Sequence, residues 1–355
     1  LDLGGAEKQL ALLACGLPRD QIEVHVCCLT RGGPRQRLLD EADIPTHVIG
    51  KQRKIDPPAY FRLKRHIRDV QPDIVHTWLF AANAYGRQAA LAAGVKHLVA
   101  GERCVDRWKG WRHFFIDRRL ARRTDKLVTN SDAVRDFYTH HGISPDKFQV
   151  IANGVHAPQQ NPTGVDEAAR DDILKEFNLP PQTHLLAAIG RLWPQKNYKH
   201  LFWAMCLLKV IRQDFHLLVF GEGPHRWRLE KYGRQVQILG EHVTLLGERD
   251  DVERFLPAVR CFLTASAYEG QSNGIMEAMA AGRPVVATDI PGNRDLVVPE
   301  ETGNLVPLGD RAELARRVKI LLDDTDLALR FGEAGWRRMR DHFRVEDMVN
   351  QHAQR

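Results

Sequence analysis

The sequence predicts an α/β protein made of two doubly wound parallel-sheet domains, and three observations lead there. The chain has 355 residues, more than one ordinary domain of ~150 residues holds. Short apolar runs rich in β-branched residues alternate with helix-length amphipathic segments from end to end, the rhythm of strands covered by helices on both faces. The composition, 43% hydrophobic, 27% charged and 8% aromatic, is that of a globular protein and excludes disordered, collagen-like and coiled-coil classes.

In chain order, the strand candidates of the first half are IEVHVCCL, IPTHVIG, DIVHTW, HLVAG, KLVTNS and FQVIANGV. Those of the second half are HLLAAIGR, FHLLVFGEG, VTLLGE, CFLTAS and RPVVATD. Between the two sets, His156 to Asp172 is polar, holds two prolines and lacks apolar periodicity, so it reads as a linker. The domains are expected at residues 1–156 and 157–343, with a tail, 344–355, returning to the first. No apolar run approaches the ~18 residues of a spanning helix, and the first residues show neither the basic nor the apolar region of a signal peptide. The six cysteines, without a C-x-x-C pair, read as buried reduced thiols of a cytosolic protein rather than as zinc ligands or disulfides. Charge is uneven: residues 1–160 carry 25 Lys and Arg against 17 Asp and Glu, a surplus of eight, whereas the whole chain has a surplus of six. An anionic partner for the first half is implied.

Open parallel sheets bind ligands beyond the carboxyl ends of their strands, and the polar and glycine signals fall there. After HLLAAIG come Gly190, Arg191 and, opening a helix, Lys196. A planar guanidinium and a point-charge ammonium at a strand-to-helix turn suit a diphosphate, although an isolated pair of cations can equally be a solvated surface. Further on, Glu269-Gly270-Gln271-Ser272-Asn273-Gly274 leads into a helix carrying Glu277. Backbone N–H groups of such a turn bind phosphate oxygens, and the two carboxylates can accept paired hydroxyls of a sugar. For Glu277 the alternative is simple preference of an acid for a helix start. Gly221-Glu222-Gly223-Pro224 lacks the third glycine of a dinucleotide fingerprint. Asp324-Thr325-Asp326 reads as a solvated connector rather than a metal site, and no metal is expected.

Together these segments resemble the retaining glycosyltransferases of family 4. The resemblance runs from GGAE at Gly4–Glu7 through NSDAVRDFY, IANGV, AIGRLWPQKN, VFGEGP and LLGERDDV to EGQSNGIMEAMAAGRPVVATDIPG, with the E-x7-E spacing of Glu269 and Glu277 its most specific element. It implies the GT-B fold, two facing Rossmann-like domains with a cleft between them, and a nucleotide diphosphate sugar as donor substrate with no cofactor. It implies that Arg191 and Lys196 hold the leaving diphosphate, that Glu269 contacts the donor sugar and that Glu277 holds the ribose. By the same match Gly190, Gly221, Gly223 and Arg249 line the nucleotide, and Gly4, Gly5, Gly270, Ser272 and Asn273 approach the donor sugar and phosphates. A UDP-sugar is favoured, with a saccharide or lipid-linked acceptor in glycan, glycolipid or cell-envelope polysaccharide synthesis. Stabilising charge on the leaving diphosphate needs only preorganised cations and N–H donors, and same-face attack assisted by the leaving phosphate is the expected route.

Two departures concern the first half. Family members begin with a strand before the Gly-Gly turn and this chain does not, which points to a truncated first sheet. The family's His after the HLVAG strand is replaced by Glu102-Arg103, expected on the acceptor side. His76, at the end of DIVHTW, is the candidate catalytic side chain of this half because a strand-end His faces the cleft, with a packed, hydrogen-bonded histidine as the alternative. From Arg103 to Arg123, basic residues mix with Trp108, Trp111, Phe114 and Phe115. Such a mixture suits an anionic membrane surface, with Trp108, Lys109, Trp111 and Arg112 as the contact, and hence peripheral attachment on the cytoplasmic face; it also suits a helix packed through Phe114, Phe115 and Leu120. No nucleic-acid module is present, and no nucleic-acid partner is expected. The rival functions are a sugar-nucleotide epimerase of the same fold and a sugar-nucleotide-binding protein without turnover.

Overall fold

The fold was taken from a computed structural model, which describes residues 1–162 and 164–354. The chain divides into two compact units: an N-terminal unit of Leu1–Gly154 joined by the segment from Val345 onward, and a C-terminal unit of Val155–Arg344.

The C-terminal unit is built on a six-stranded parallel sheet in the order Gly303–Val306, Val285–Thr288, Cys261–Thr264, His184–Ile189, Phe215–Phe220, Val243–Gly247. Every residue of Phe215–Phe220 and of Cys261–Thr264 is buried. Helices cover both faces of a parallel sheet, so its strands are continuous apolar runs rather than alternating ones. Phe202 and Met205 of the helix Tyr198–Ile211 and Val318 and Leu321 of the helix Arg311–Asp323 close one face, all essentially fully buried. The expected linker is part of this unit: Asp166 Oδ1 caps the helix Glu167–Glu176 by accepting from Ala169 N at 3.0 Å. Pro158 and Pro162 are pinned through their carbonyls, which accept from Trp336 Nε1 and Arg283 Nη2 at 2.9 Å each. The segment is polar because its backbone is satisfied by side chains of the unit, not because it is unattached.

In the N-terminal unit the six strand candidates of the first half lie in two sheets. Ile74–Trp78, His97–Glu102, Lys126–Thr129 and Phe148–Val150 form a four-stranded parallel sheet, and Val26–Cys28 pairs with Thr46–Val48 in a separate parallel ladder. Helix Pro57–Val70 shows the local chemistry that delimits elements here: Asp56 caps it through Ala59 N, prolines hold its first turn, and Gln71 ends it at φ +53°. The helix Val345–Ala353 contributes Val345, Met348 and Val349 to a core shared with Leu13, Trp78, Val128 and Ile151. Gly16 is required at that seam, because a Cβ there would stand 2.6 Å from Val349 Cγ2. Of the cysteines expected to be buried, Cys28 and Cys261 are, whereas Cys15 and Cys27 are exposed.

Candidate active site

In the C-terminal unit the strand-end motifs meet. The strand His184–Ile189 ends at Gly190, the chain turns through Pro194–Lys196, and Asn197 at φ +53° starts the next helix. That turn sends Lys196 back across Gly190, whose Cβ position would lie 2.8 Å from Lys196 Cε. Lys196 Nζ donates to Glu269 Oε1 at 2.5 Å, and Gln195 Nε2 donates to Glu269 Oε2 at 3.0 Å and to the Tyr268 carbonyl at 2.9 Å. Glu269 is 7% exposed and Lys196 17% at the side chain, so the pair is largely withdrawn from water. Sequence reasoning named Lys196 and Glu269 but passed over Gln195; its place beside Lys196 in the same turn was the signal.

The glycines around this pair are demanded by close backbone approach. A Cβ on Gly221 would run into the Gly190 carbonyl, and one on Gly223 would meet the Leu192 carbonyl at 2.5 Å. Gly190 N donates to the Phe220 carbonyl and Leu192 N to that of Glu222, both at 2.9 Å. Neighbouring strand ends are thereby drawn into one bare backbone ledge. Gly270 is covered in the same way by Gly292, where a side chain would collide with the Gly270 carbonyl. Ser272, buried, is the N-cap of the helix Asn273–Ala280 and makes no side-chain bond to its first turn, while Glu277 is half-buried on the same helix. Arg191 is exposed, and among the described residues no carboxylate pairs with it. Arg249 is committed elsewhere: its guanidinium grips Asp251 at 2.7 and 2.6 Å and lies 3.9 Å from Glu176. Asp324 caps the helix Thr325–His342 through Leu327 N at 2.8 Å. Among the described residues no three His, Cys, Asp or Glu side chains come together as a metal site.

The N-terminal unit corrects several expectations. Lys109 was expected at a membrane surface, yet its side chain is wholly buried, with Nζ at 3.0 Å from Asp117, 3.3 Å from Asp106, 3.5 Å from Glu102 and 2.8 Å from the Tyr138 hydroxyl. Burial opposes its charge, but the three carboxylates outweigh burial and hold its ammonium above the usual lysine range. Glu102, expected on the acceptor side, is an internal member of this network: it accepts from Asn83 Nδ2 at 2.9 Å and from the Tyr138 hydroxyl at 2.9 Å. Burial pushes its carboxyl up against the lowering pull of Lys109. Arg87, on the far side of Asp117 at 3.5 Å, is the second buried cation. The physical reason is valence: two internal cations among three acids leave neither Lys109 nor Glu102 any capacity for a surface partner. Trp108, Trp111 and Phe115 are 55%, 73% and 55% exposed, and Arg112 is exposed, so the helix Trp111–Ala121 packs through Phe114 and Leu120 but not through Phe115. Ser131 caps the helix Asp132–His140, accepting from Val134 N at 3.3 Å.

Gly4 is the N-cap of the helix Gly5–Gly16, and the Glu7 carboxylate folds back over it where a side chain would otherwise be. Arg103 stacks on Trp78 at 3.8 Å. His76 lies with its ring 5.2 Å from Trp78 and 5.8 Å from His352, and burial, then the neighbouring His352 and Arg103, push its pKa well below the ordinary histidine value.

A parallel α/β chain that gathers a lysine, a glutamate and a glycine ledge at its strand ends falls in the class of GT-B glycosyltransferases. Specifically, the chain belongs to the group 1, family 4 glycosyltransferases: the description "Glycosyl transferases group 1" matches residues 183–324 and "Glycosyltransferase Family 4" residues 3–157. It is 28% identical over 332 residues to the UDP-Gal:alpha-D-GlcNAc-diphosphoundecaprenol alpha-1,3-galactosyltransferase of Escherichia coli, covering 87% of this chain and 82% of the relative. It is also 28% identical over 216 residues to a Campylobacter jejuni N-acetylgalactosaminyltransferase acting on N-acetylgalactosamine-N,N'-diacetylbacillosaminyl-diphospho-undecaprenol, covering 60% and 55%. In fold it is similar to HepE of Anabaena, solved in complex with UDP and glucose, with a TM-score of 0.87 at 21% identity over 99% of this chain and 95% of that one. The protein is a glycosyltransferase, and the relatives named here act on glycolipid intermediates; the epimerase reading finds no counterpart among them.

Proposed function

We propose that this glycosyltransferase takes a UDP-sugar and transfers the sugar, with retention and without a metal, to a hydroxyl of a diphosphate-linked lipid acceptor. The observation that carries the reading is the Lys196–Glu269 pair beside the Gly190 and Gly221 ledge. An ammonium has three donors, so Lys196 can keep Glu269 and still meet a leaving diphosphate, while exposed Arg191 supplies a guanidinium that no carboxylate among the described residues neutralises. Charge on the leaving group is then met by fixed cations and backbone N–H groups, which need no metal. A double displacement requires a carboxylate able to attack the sugar. Both oxygens of Glu269 accept hydrogen bonds, which favours same-face attack with the leaving phosphate drawing off the acceptor proton. The donor base is supported by the UDP-bound Anabaena neighbour, and the acceptor class by the diphosphoundecaprenol substrates in the names of the two relatives.

Peripheral attachment at the membrane that carries such an acceptor rests on the exposed Trp108, Trp111 and Arg112. Among the described residues no helix is long and apolar enough to cross a membrane. The test of the central reading is transfer from a panel of nucleotide sugars in chelator, with the anomer of the product determined by NMR. UDP-sugar turnover in chelator with retained configuration is expected; strict metal dependence or an inverted product overturns it. Glu277→Ala should weaken UDP binding in calorimetry, whereas Glu269→Ala should spare UDP and damage transfer; equal loss of UDP affinity in both removes the division of roles.

A further inference from the structure

The N-terminal unit holds a second buried cationic group that differs in kind from the Lys109 network. Arg103 is 8% exposed, yet among the described residues its hydrogen bonding is confined to one long contact, Nη1 to Asn153 Oδ1 at 3.4 Å, and its Nε and Nη2 have no partner there. Its flat face is occupied by Trp78 at 3.8 Å, which fixes the plane of the guanidinium and leaves the N–H edge to find an acceptor. Two imidazoles stand beside the same tryptophan. His76 Nε2 and His352 Nε2 are both shut off from solvent and both unpartnered among the described residues, with the rings 5.8 Å apart. His352 is oriented by its other nitrogen, Nδ1, which lies 2.9 Å from the Met348 carbonyl and must donate to it, so Nε2 is the atom left over. The backbone beside them is bare: at Gly101 a Cβ would stand 3.6 Å from His76 Nε2.

An unpaired buried guanidinium is costly, and Arg103 is not rescued by a carboxylate as Lys109 is. Burial alone lowers its pKa, to about 9; the charged groups acting on His76 are His352 and Arg103 and the one acting on His352 is Arg103, all of the same sign. The group therefore lacks only negative charge and oxygen acceptors. Resting on the acceptor class proposed above, we infer that Arg103, His76 and His352 form a binding site for a phosphate oxyanion, that of the acceptor's diphosphate. Guanidinium forks match phosphate oxygens bidentately, and the two ring edges supply further donors when protonated. His352 comes from the helix Val345–Ala353, so the site joins residues remote in sequence, which is why no motif marks it.

The experiment titrates inorganic pyrophosphate into the full chain by calorimetry with UDP held at saturation, so that the donor site is closed to the probe. Pyrophosphate is expected to bind in the presence of UDP, and Arg103→Gln to weaken it at least about tenfold, the scale of a charged hydrogen bond, with UDP affinity unchanged. His352→Gln, near the end of its helix, is a second variant less exposed to misfolding and is expected to weaken pyrophosphate severalfold. Undiminished pyrophosphate affinity in Arg103→Gln, or no pyrophosphate binding once UDP is bound, overturns the site. The source of the phosphate is read from steady-state transfer: Arg103→Gln should raise KM for a short-chain prenyl diphosphate sugar and not for the same sugar as a phosphate-free glycoside. Equal effects on both overturn the assignment to the acceptor. If only phosphate-free acceptors are used, the acceptor class proposed above fails, while the pyrophosphate titration still decides the site.

Discussion

The two units treat buried cations in opposite ways. In the C-terminal unit Lys196 meets one carboxylate, Glu269, at the end of a strand, and both stay near the surface of the glycine ledge. In the N-terminal unit Lys109 is sealed among Glu102, Asp106 and Asp117, while Arg103 is sealed with none among the described residues. The contrast teaches that burial of a charge says little until its partners are counted: a lysine ringed by acids is structural, a lysine with one acid and donors to spare can serve chemistry, and an arginine with neither an acid nor carbonyls to meet its N–H groups points to a ligand.

The comparison can be broken at its strongest point first. Lys109→Ala leaves three acids facing one another in the interior and should destabilise the N-terminal unit by about 3–5 kcal/mol; urea unfolding that shows a change within the scatter of surface variants would remove Lys109 from the structural class. Lys196→Ala leaves Glu269 with Gln195 still donating to it, so it should cost less stability than Lys109→Ala, and it should lower turnover about 100-fold or more, roughly 2.7 kcal/mol of transition-state stabilisation. If instead it unfolds the chain with residual activity per folded molecule unchanged, the two lysines are of one kind.

A smaller effect distinguishes the histidines. His216 of the C-terminal unit is satisfied at both ring nitrogens, Nε2 by Thr244 Oγ1 at 2.8 Å and Nδ1 by the Glu241 carbonyl at 3.2 Å. Burial lowers its pKa to about 4, against the raising effect of that carbonyl. A histidine depressed in the folded state contributes stability above its ordinary value near 6.5, lost as pH falls toward 4; at pH 5 the loss is about 2 kcal/mol. Denaturation midpoints at pH 7.5 and 5.0 should differ accordingly and the difference should shrink in His216→Gln. The smallest effect concerns the surface. Arg112→Ala should weaken co-sedimentation with acidic liposomes by about fivefold, near 1 kcal/mol, and raised salt should weaken the wild type. Wild-type protein that stays in the supernatant at low salt would leave Trp108 and Trp111 as ordinary exposed aromatics.

The C-terminal site was the more legible because its parts are near in sequence: Gly190, Arg191 and Lys196 span one turn, and Glu269 to Glu277 one loop and helix start. The contact of Lys196 with Glu269 spans 73 residues, but each end sat in a motif of its own. The N-terminal unit was misread where partners were distant and unmarked. Lys109 and Trp111 are two residues apart and opposite in burial, because the turn before the helix Trp111–Ala121 sends one side chain inward to Tyr138 and the other outward. A mixture of cations and aromatics in a string of letters carries no record of that direction. Strands were legible throughout, since covered parallel strands need unbroken apolar runs, but the division of the first half into two sheets left no trace in those runs.

The helix Val345–Ala353 has a bearing on how the protein is made. Its residues belong to the same core as Leu13 and Trp78, so on a ribosome the N-terminal unit must wait, with that apolar surface uncovered, until the whole C-terminal unit has been synthesised. The later-made unit can finish folding first. Chaperones that hold exposed apolar surface should therefore be recruited to nascent chains released before Val345, and to premature-stop products, far more than to the completed polypeptide.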